Sequence, residues 1–190
     1  MPTNKEIEIK YILENPEDLV QKLNEYAIFK GDYQQSDMYY NPPHIDFLKN
    51  PENISKWLRV RCQNGNSSIN FKSFYPEESF PKTHCKEYET QVASSEALQL
   101  ILEALDFKPL IIVKKFRRSW DFNDIEISID TVESLGKFVE LEYKGTREDV
   151  NGILDYLKQT LSDLTDCAKE PVIHGYPHLI MLKNGWFDKE

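Results

Sequence analysis

The sequence predicts an α+β protein: about eight antiparallel strands, closed or nearly closed into a barrel, with helices packed outside. Three observations lead there. About eight stretches alternate apolar and polar residues with period two. They are joined mostly by short connections, Asn64-Gly65-Asn66 being a tight hairpin turn. Three further segments carry helical periodicity with one apolar stripe each, and a stripe needs a sheet face to cover.

In chain order, the first strand is expected over Lys5–Leu13. A helix over Pro16–Ala27 follows, with Asn15 as N-cap, Pro16 at N1 and acids in the first turn. Tyr33–Asn41 alternates again. Asn41–Ser55, with three prolines, reads as a long loop between strands. The next strands are Lys56–Gln63, Ser67–Phe74 and His84–Val92. Ser94–Leu105 is helical, its Leu98, Ile101, Leu102 and Leu105 forming one stripe. Three strands follow at Leu110–Trp120, Asp124–Asp130 and Lys137–Lys144. The last helix, Thr146–Leu164, carries Val150, Ile153, Leu154, Leu157 and Leu161 on one face. Beyond it, His174 and His178 are spaced i,i+4, but Pro177 between them argues against a helix there.

A chain of 190 residues is expected to form one domain, 1–190. Apolar residues at 40% exclude wholesale disorder, and no apolar run approaches the length of a membrane span. Met1–Lys10 holds charges where an export signal needs an apolar stretch. The net charge of −9 argues against non-specific nucleic-acid binding. Cys62, Cys85 and Cys167 are odd in number and lack a C-x-x-C pair, which suits reduced thiols in a cytoplasmic protein.

The chemistry lies in the polar half of the alternation. Glu6, Glu8 and Lys10 share a face opposite Ile7 and Ile9. Arg59 and Arg61 stand opposite Leu58 and Val60, and Lys72 follows on the next strand. Glu87, Glu89 and Gln91 line up, as do Lys115 and Arg117 with Val113 and Ser119. Glu126, Ser128 and Asp130 share a side, and Glu140 and Glu142 oppose Val139 and Leu141. Any one such strand is explained by a solvated sheet face. Two features favour an inward charged face instead: the helices need the apolar side, and acids and bases are segregated by strand. Converging Arg and Lys suit a polyanion, because guanidinium forks match phosphate oxygens. Clustered carboxylates suit a hard divalent cation such as Mg²⁺. Polyphosphate with Mg²⁺ satisfies both sets.

These residues also resemble the CYTH superfamily, the triphosphate tunnel metalloenzymes. Glu6-Ile7-Glu8-Ile9-Lys10 matches its ExExK signature. In order follow Asp37 and Tyr39 in QSDMYY, Arg59 and Arg61 in LRVR, Lys72 in NFK, and Glu87 and Glu89 in KEYET. Lys115 and Arg117 in KKFRRSW, Asp130 in SIDTVESLG, and Glu140 and Glu142 in FVELE complete the series. The resemblance implies an eight-stranded antiparallel tunnel, a triphosphate substrate such as ATP or inorganic triphosphate, and Mg²⁺ or Mn²⁺. It implies metal ligands at Glu6, Glu8, Asp130, Glu140 and Glu142. It implies phosphate contacts from Lys10, Arg59, Arg61, Lys72, Lys115 and Arg117, with Glu87 and Glu89 orienting the bases. Glu8, Lys115 and Glu142 are the expected catalytic residues. The DxYY segment, the NPPHIDF loop and LRVR look most like class IV adenylyl cyclases, so ATP conversion to cyclic AMP is expected. Triphosphate hydrolysis and non-catalytic polyphosphate or nucleotide binding stay open, and a homodimer is compatible with the resemblance. Phe116, where many relatives carry another base, departs from the pattern.

Overall fold

The computed structural model describes residues 5–187; residues 1–4, part of the stretch read for export, lie outside it. Ten strands and four α-helices form among the described residues. The chain packs as two compact units. The first holds 34–114, Lys5 and the segment from His174 onward; the second holds 6–33 and 115–173. Strands β3 (Ile28–Asn41) and β7 (Lys108–Phe122) each run from one unit into the other.

In the first unit, β4 (Lys56–Gln63) pairs with β3 on one side and β5 (Asn66–Tyr75) on the other, and β5 pairs with β6 (His84–Val92); all three pairings are antiparallel. The β4–β5 turn has Asn64 at φ 48 and Gly65 at φ 85. Those left-handed values match strand twist in a two-residue hairpin, and they favour Asn and Gly. Helix α2 (Ser95–Ala104) is capped by Ser94, whose hydroxyl accepts the Ala97 N–H at 3.1 Å. It sets Leu102 against Tyr40 and Val60, with Leu98 beside them. Ile101 and Leu105, expected in the same stripe, are exposed.

In the second unit, β8 (Ile125–Val132) lies between β7 and β9 (Gly136–Tyr143), and β2 (Glu8–Leu13) lies between β9 and β10 (Ala168–Pro171), again antiparallel throughout. Helices α1 (Glu17–Tyr26) and α3 (Val150–Leu164) cover one face. Leu19, Leu23, Ile153, Leu157 and Leu161 pack with Ile9, Ile127, Ile129, Val139 and Leu141 in one core. Each such side chain contributes about 1.5–3 kcal/mol when fully buried. The opposite face of these strands is therefore the charged one, as the alternation requires.

The α+β antiparallel class agrees with the sequence reading, and several boundaries differ. There are ten strands rather than eight. The first expected strand breaks at Ile7 into β1 (Lys5–Glu6) and β2, and β10 is a short strand added at the edge of β2. Asn15 is no N-cap: it sits at φ 49, Pro16 takes the cap position and no side chain caps α1. The third helix starts at Val150, not Thr146. Helix α4 (Tyr176–Lys183) forms where Pro177 argued against one, because proline in a first turn lacks only an N–H that would be unpaired anyway. Among the described residues no helix is long and apolar enough to cross a membrane.

Candidate active site

The sheet face of the second unit opposite α1 and α3 carries an alternating chain of charge. Asp130 on β8 is fully buried and accepts Lys115 Nζ at 2.8 Å and Arg117 Nε and Nη2 at 2.7 Å each. The two-pronged Arg117 contact arises because Arg117 and Asp130 are register partners on β7 and β8. Arg117 Nη2 also donates to Glu140 Oε1 at 2.7 Å. Glu140 in turn lies 3.2 Å from Lys10 Nζ, which lies 3.4 Å from Glu8 Oε1. Glu6 is buried at the start of the same segment.

Burial alone would raise the Asp130 pKa, but Arg117 and Lys115 outweigh it and hold the carboxyl at about 2. Burial would lower the Lys10 pKa, but Glu8 and Glu140 raise it above its ordinary value. Asp130 is thus ionised and Lys10 cationic at neutral pH.

Glu8 stands opposite Glu142, and Glu142 opposite Glu126 on the next strand, so three carboxylates form one row across β2, β9 and β8. Each has an ammonium partner: Lys10 near Glu8 at 3.4 Å, Lys144 at 2.6 Å from Glu142, and Lys30 at 2.6 Å from Glu126. Among the described residues no three His, Cys, Asp or Glu side chains already converge as a metal cluster. The donor set, all-oxygen and anionic, nonetheless fits a hard divalent cation, which would take these oxygens in competition with their lysine partners.

In the first unit the charged face is built around Asp37, 1% exposed on β3. Arg61 Nε and Nη2 donate to its two oxygens at 2.7 Å each, and Arg59 Nη1 lies 3.3 Å away. The Nε of Arg59 is buried with no hydrogen-bond partner. Burial opposes the Arg59 charge, but Asp37 and Tyr39 overcome it and raise its pKa. Glu87 lies 3.7 Å from Lys72 Nζ and 3.9 Å from Arg59 Nη2, and accepts the Asn70 amide. Glu89 accepts the Ser68 hydroxyl at 2.7 Å. Lys114 is exposed and Arg118 bonds Asp32, so both point away from these clusters, as parity predicts.

The expected bases and acids therefore fall into two groups. Lys10, Lys115, Arg117, Asp130, Glu8, Glu140 and Glu142 meet in the second unit, and Arg59, Arg61, Lys72 and Glu87 in the first. Asp37, named only as part of a motif, proves to be the acceptor for two arginines, and Glu126, left out of the expected ligands, joins the carboxylate row. Parity placed Glu126 on the right face, whereas Asp37 entered only through the QSDMYY motif. Their partners lie on neighbouring strands, and inter-strand register is not written in any one strand. Trp57 is buried edge-on to Tyr39 at 5.5 Å.

The CYTH domain matches residues 4–172. "Putative adenylate cyclase MJ0240" of Methanocaldococcus jannaschii is 33% identical over 140 residues, 72% of this chain and 75% of that one. The solved structure of PH1819 from Pyrococcus horikoshii has a TM-score of 0.77 at 26% identity, covering 94% of this chain and 99% of that one. The structure of "Putative adenylyl cyclase HpAC1" from Hippeastrum, described as revealing a dominant triphosphatase activity, shares the fold. Its TM-score is 0.58 at 14% identity, over 95% of this chain and 96% of that one.

Proposed function

The chain belongs to the CYTH domain family, and from that premise we propose that it is a class IV-type adenylyl cyclase, converting ATP to 3′,5′-cyclic AMP and pyrophosphate. The observation that carries the triphosphate reading is the burial of Arg59, Arg61, Lys10, Lys115 and Arg117 on polar sheet faces, with the Arg59 Nε still lacking an acceptor. A buried unpaired donor is costly, and a phosphate oxygen would satisfy it. The cyclase reading is supported by the name of the M. jannaschii relative.

In this reading Arg59, Arg61 and Lys72 bind phosphate oxygens in the first unit, and Lys10, Lys115 and Arg117 do so in the second. Asp37 holds the two arginines as a fork, and Glu87 orients Lys72. Glu8 and Glu142 hold Mg²⁺ or Mn²⁺, with Glu6, Glu140 and Asp130 as further ligands. The bound ion would lower the pKa of the attacking hydroxyl and neutralise the leaving pyrophosphate. Lys115, held by Asp130 at 2.8 Å, stabilises charge developing on the phosphates. The catalytic set is Glu8, Lys115 and Glu142.

A second reading keeps these residues and replaces the ribose hydroxyl by water, giving a triphosphatase; the Hippeastrum protein's described activity favours it. The deciding experiment incubates the protein with ATP, and separately with inorganic triphosphate, plus Mg²⁺ or Mn²⁺, and separates products by chromatography. Cyclic AMP with pyrophosphate is the expected result. Orthophosphate without cyclic AMP makes the protein a triphosphatase. Neither product, with triphosphate still raising the melting temperature, leaves a non-catalytic binding module.

A further inference from the structure

The acidic row of the second unit extends by one residue beyond the three carboxylates described above. Asp121 faces Glu126, Glu126 faces Glu142 and Glu142 faces Glu8, so four carboxylates stand side by side on β7, β8, β9 and β2. Like charges directly opposite one another destabilise a sheet, and three lysines relieve this row in two different ways. Lys30 is shared between Glu126 at 2.6 Å and Asp121 at 3.3 Å, and Lys10 between Glu140 at 3.2 Å and Glu8 at 3.4 Å. Lys144 has a single carboxylate partner among the described residues, Glu142 at 2.6 Å. Glu126 and Glu6 add to the negative field around it.

A closed turn holds Lys144 in that place. Its N–H donates to the Asp124 carbonyl at 2.7 Å. The next residue is Gly145, where a Cβ would collide with the Tyr143 hydroxyl. That hydroxyl accepts the Arg147 backbone N–H at 3.1 Å and the Arg147 Nε–H at 3.3 Å. Tyr156 donates to Asp124 Oδ1 at 2.7 Å, and the Arg147 guanidinium lies over both tyrosine rings. The backbone of Lys144 is therefore fixed, while its side chain is exposed, and an exposed ion pair opens at little cost.

We propose that Lys144 is a built-in competitor of the divalent ion: its ammonium takes the Glu142 carboxylate that the ion needs, and must be displaced before the ion can bind. A hard ion takes carboxylate oxygens at about 2.1 Å and surrounds itself with oxygens, so ion and ammonium cannot share Glu142. Lys10 and Lys30 are each tied to two carboxylates, which leaves Lys144 as the lysine that yields. Once displaced, its ammonium is open to an anionic ligand, so the chain favours an ion that arrives with polyphosphate over the ion alone. The proposal rests on the metal reading above and adds what weakens metal binding there.

The test measures Mn²⁺ binding to the full chain by electron paramagnetic resonance, at low salt and without triphosphate. Lys144→Met should lower the Mn²⁺ Kd at least about fivefold, because one positive charge beside the ion is gone. Lys30→Met removes the same charge from the same row and should lower it less. Gly145→Ala keeps every charge but displaces the turn, and should also lower the Kd. An unchanged Kd in Lys144→Met overturns the proposal. Equal effects of Lys144→Met and Lys30→Met overturn it too, since total charge would then be the cause. An unchanged Kd in Gly145→Ala shows that the turn does not hold the lysine and removes that part. If Mn²⁺ binds neither wild type nor Lys144→Met, the metal assignment itself falls, a different result from a Kd that Lys144 does not alter. Lys144 is exposed, so its variant decides the matter even if Gly145→Ala fails to fold.

Discussion

Asp130 illustrates how one buried acid is made tolerable: three N–H donors from two bases surround it, and none of the three groups could be removed alone without stranding the others. Asp130→Asn should destabilise the protein by about 3–5 kcal/mol, read as a fall in the urea midpoint. The pH dependence follows from a carboxyl held at about 2 in the fold against 3.8 in the free chain. Its contribution is complete above pH 3.8 and is lost as pH falls from there through about 2. Acid unfolding of the Asn variant should lack that component. At the reaction itself, Glu142→Gln should abolish turnover while calorimetry still detects triphosphate binding; retained turnover would remove Glu142 from the metal assignment. Lys115→Ala should raise KM and lower kcat together. The faces of Lys115, Arg117 and Asp130 were legible from alternation alone. That Asp130, rather than any other acid, holds both bases was not, because the β7–β8 register decides it.

Among the elements, α3 and α2 show what periodicity can and cannot reveal. Ile153, Leu157 and Leu161 of α3 were expected on the covering face and are buried there. Leu157→Ala should cost about 2–5 kcal/mol by leaving a cavity in that core. Half of the α2 stripe is exposed, since a helical wheel ranks residues by direction without knowing how much sheet lies beneath. The misread end of the chain is α4, where a proline taken as a breaker serves in the first turn. Its His178 is 5% exposed, with the His174 ring 4.1 Å away. Burial first, and His174 second, lower the His178 pKa to about 4. The neutral ring is therefore the folded form, and its contribution is complete above pH 6.5 and erodes as pH falls from 6.5 toward 4. Melting temperatures at pH 7 and pH 5 should differ less in His178→Gln than in the wild type; an equal difference would place the pH sensitivity elsewhere.

For the molecule as a whole, the class and the succession of strands along the chain were readable because period-two alternation survives across most of the chain. The division into two units was not, since it depends on which distant segments touch: 34–114 is joined by Lys5 and the segment from His174 onward, while 6–33 is joined by 115–173. The carboxylate row already carries lysine partners, so removing divalent ions with a chelator should abolish turnover, restored by Mg²⁺ or Mn²⁺, without unfolding the protein. A large drop in melting temperature on chelation would instead make the ion structural.

The pairing of β2 with β9 and β10 has a consequence for biosynthesis. Lys10 meets Glu140, so a ribosome must add about 130 residues before this strand finds its first neighbour in the second unit. At roughly 5–20 residues per second that is on the order of ten seconds, during which EIKYIL has neither flank protected. A nascent chain in this state invites pairing with other copies. Glu8 and Lys10, the two residues of this strand proposed for the finished site, put charge at its first and third positions, and charge on an unpaired strand opposes pairing with other copies on the polysome.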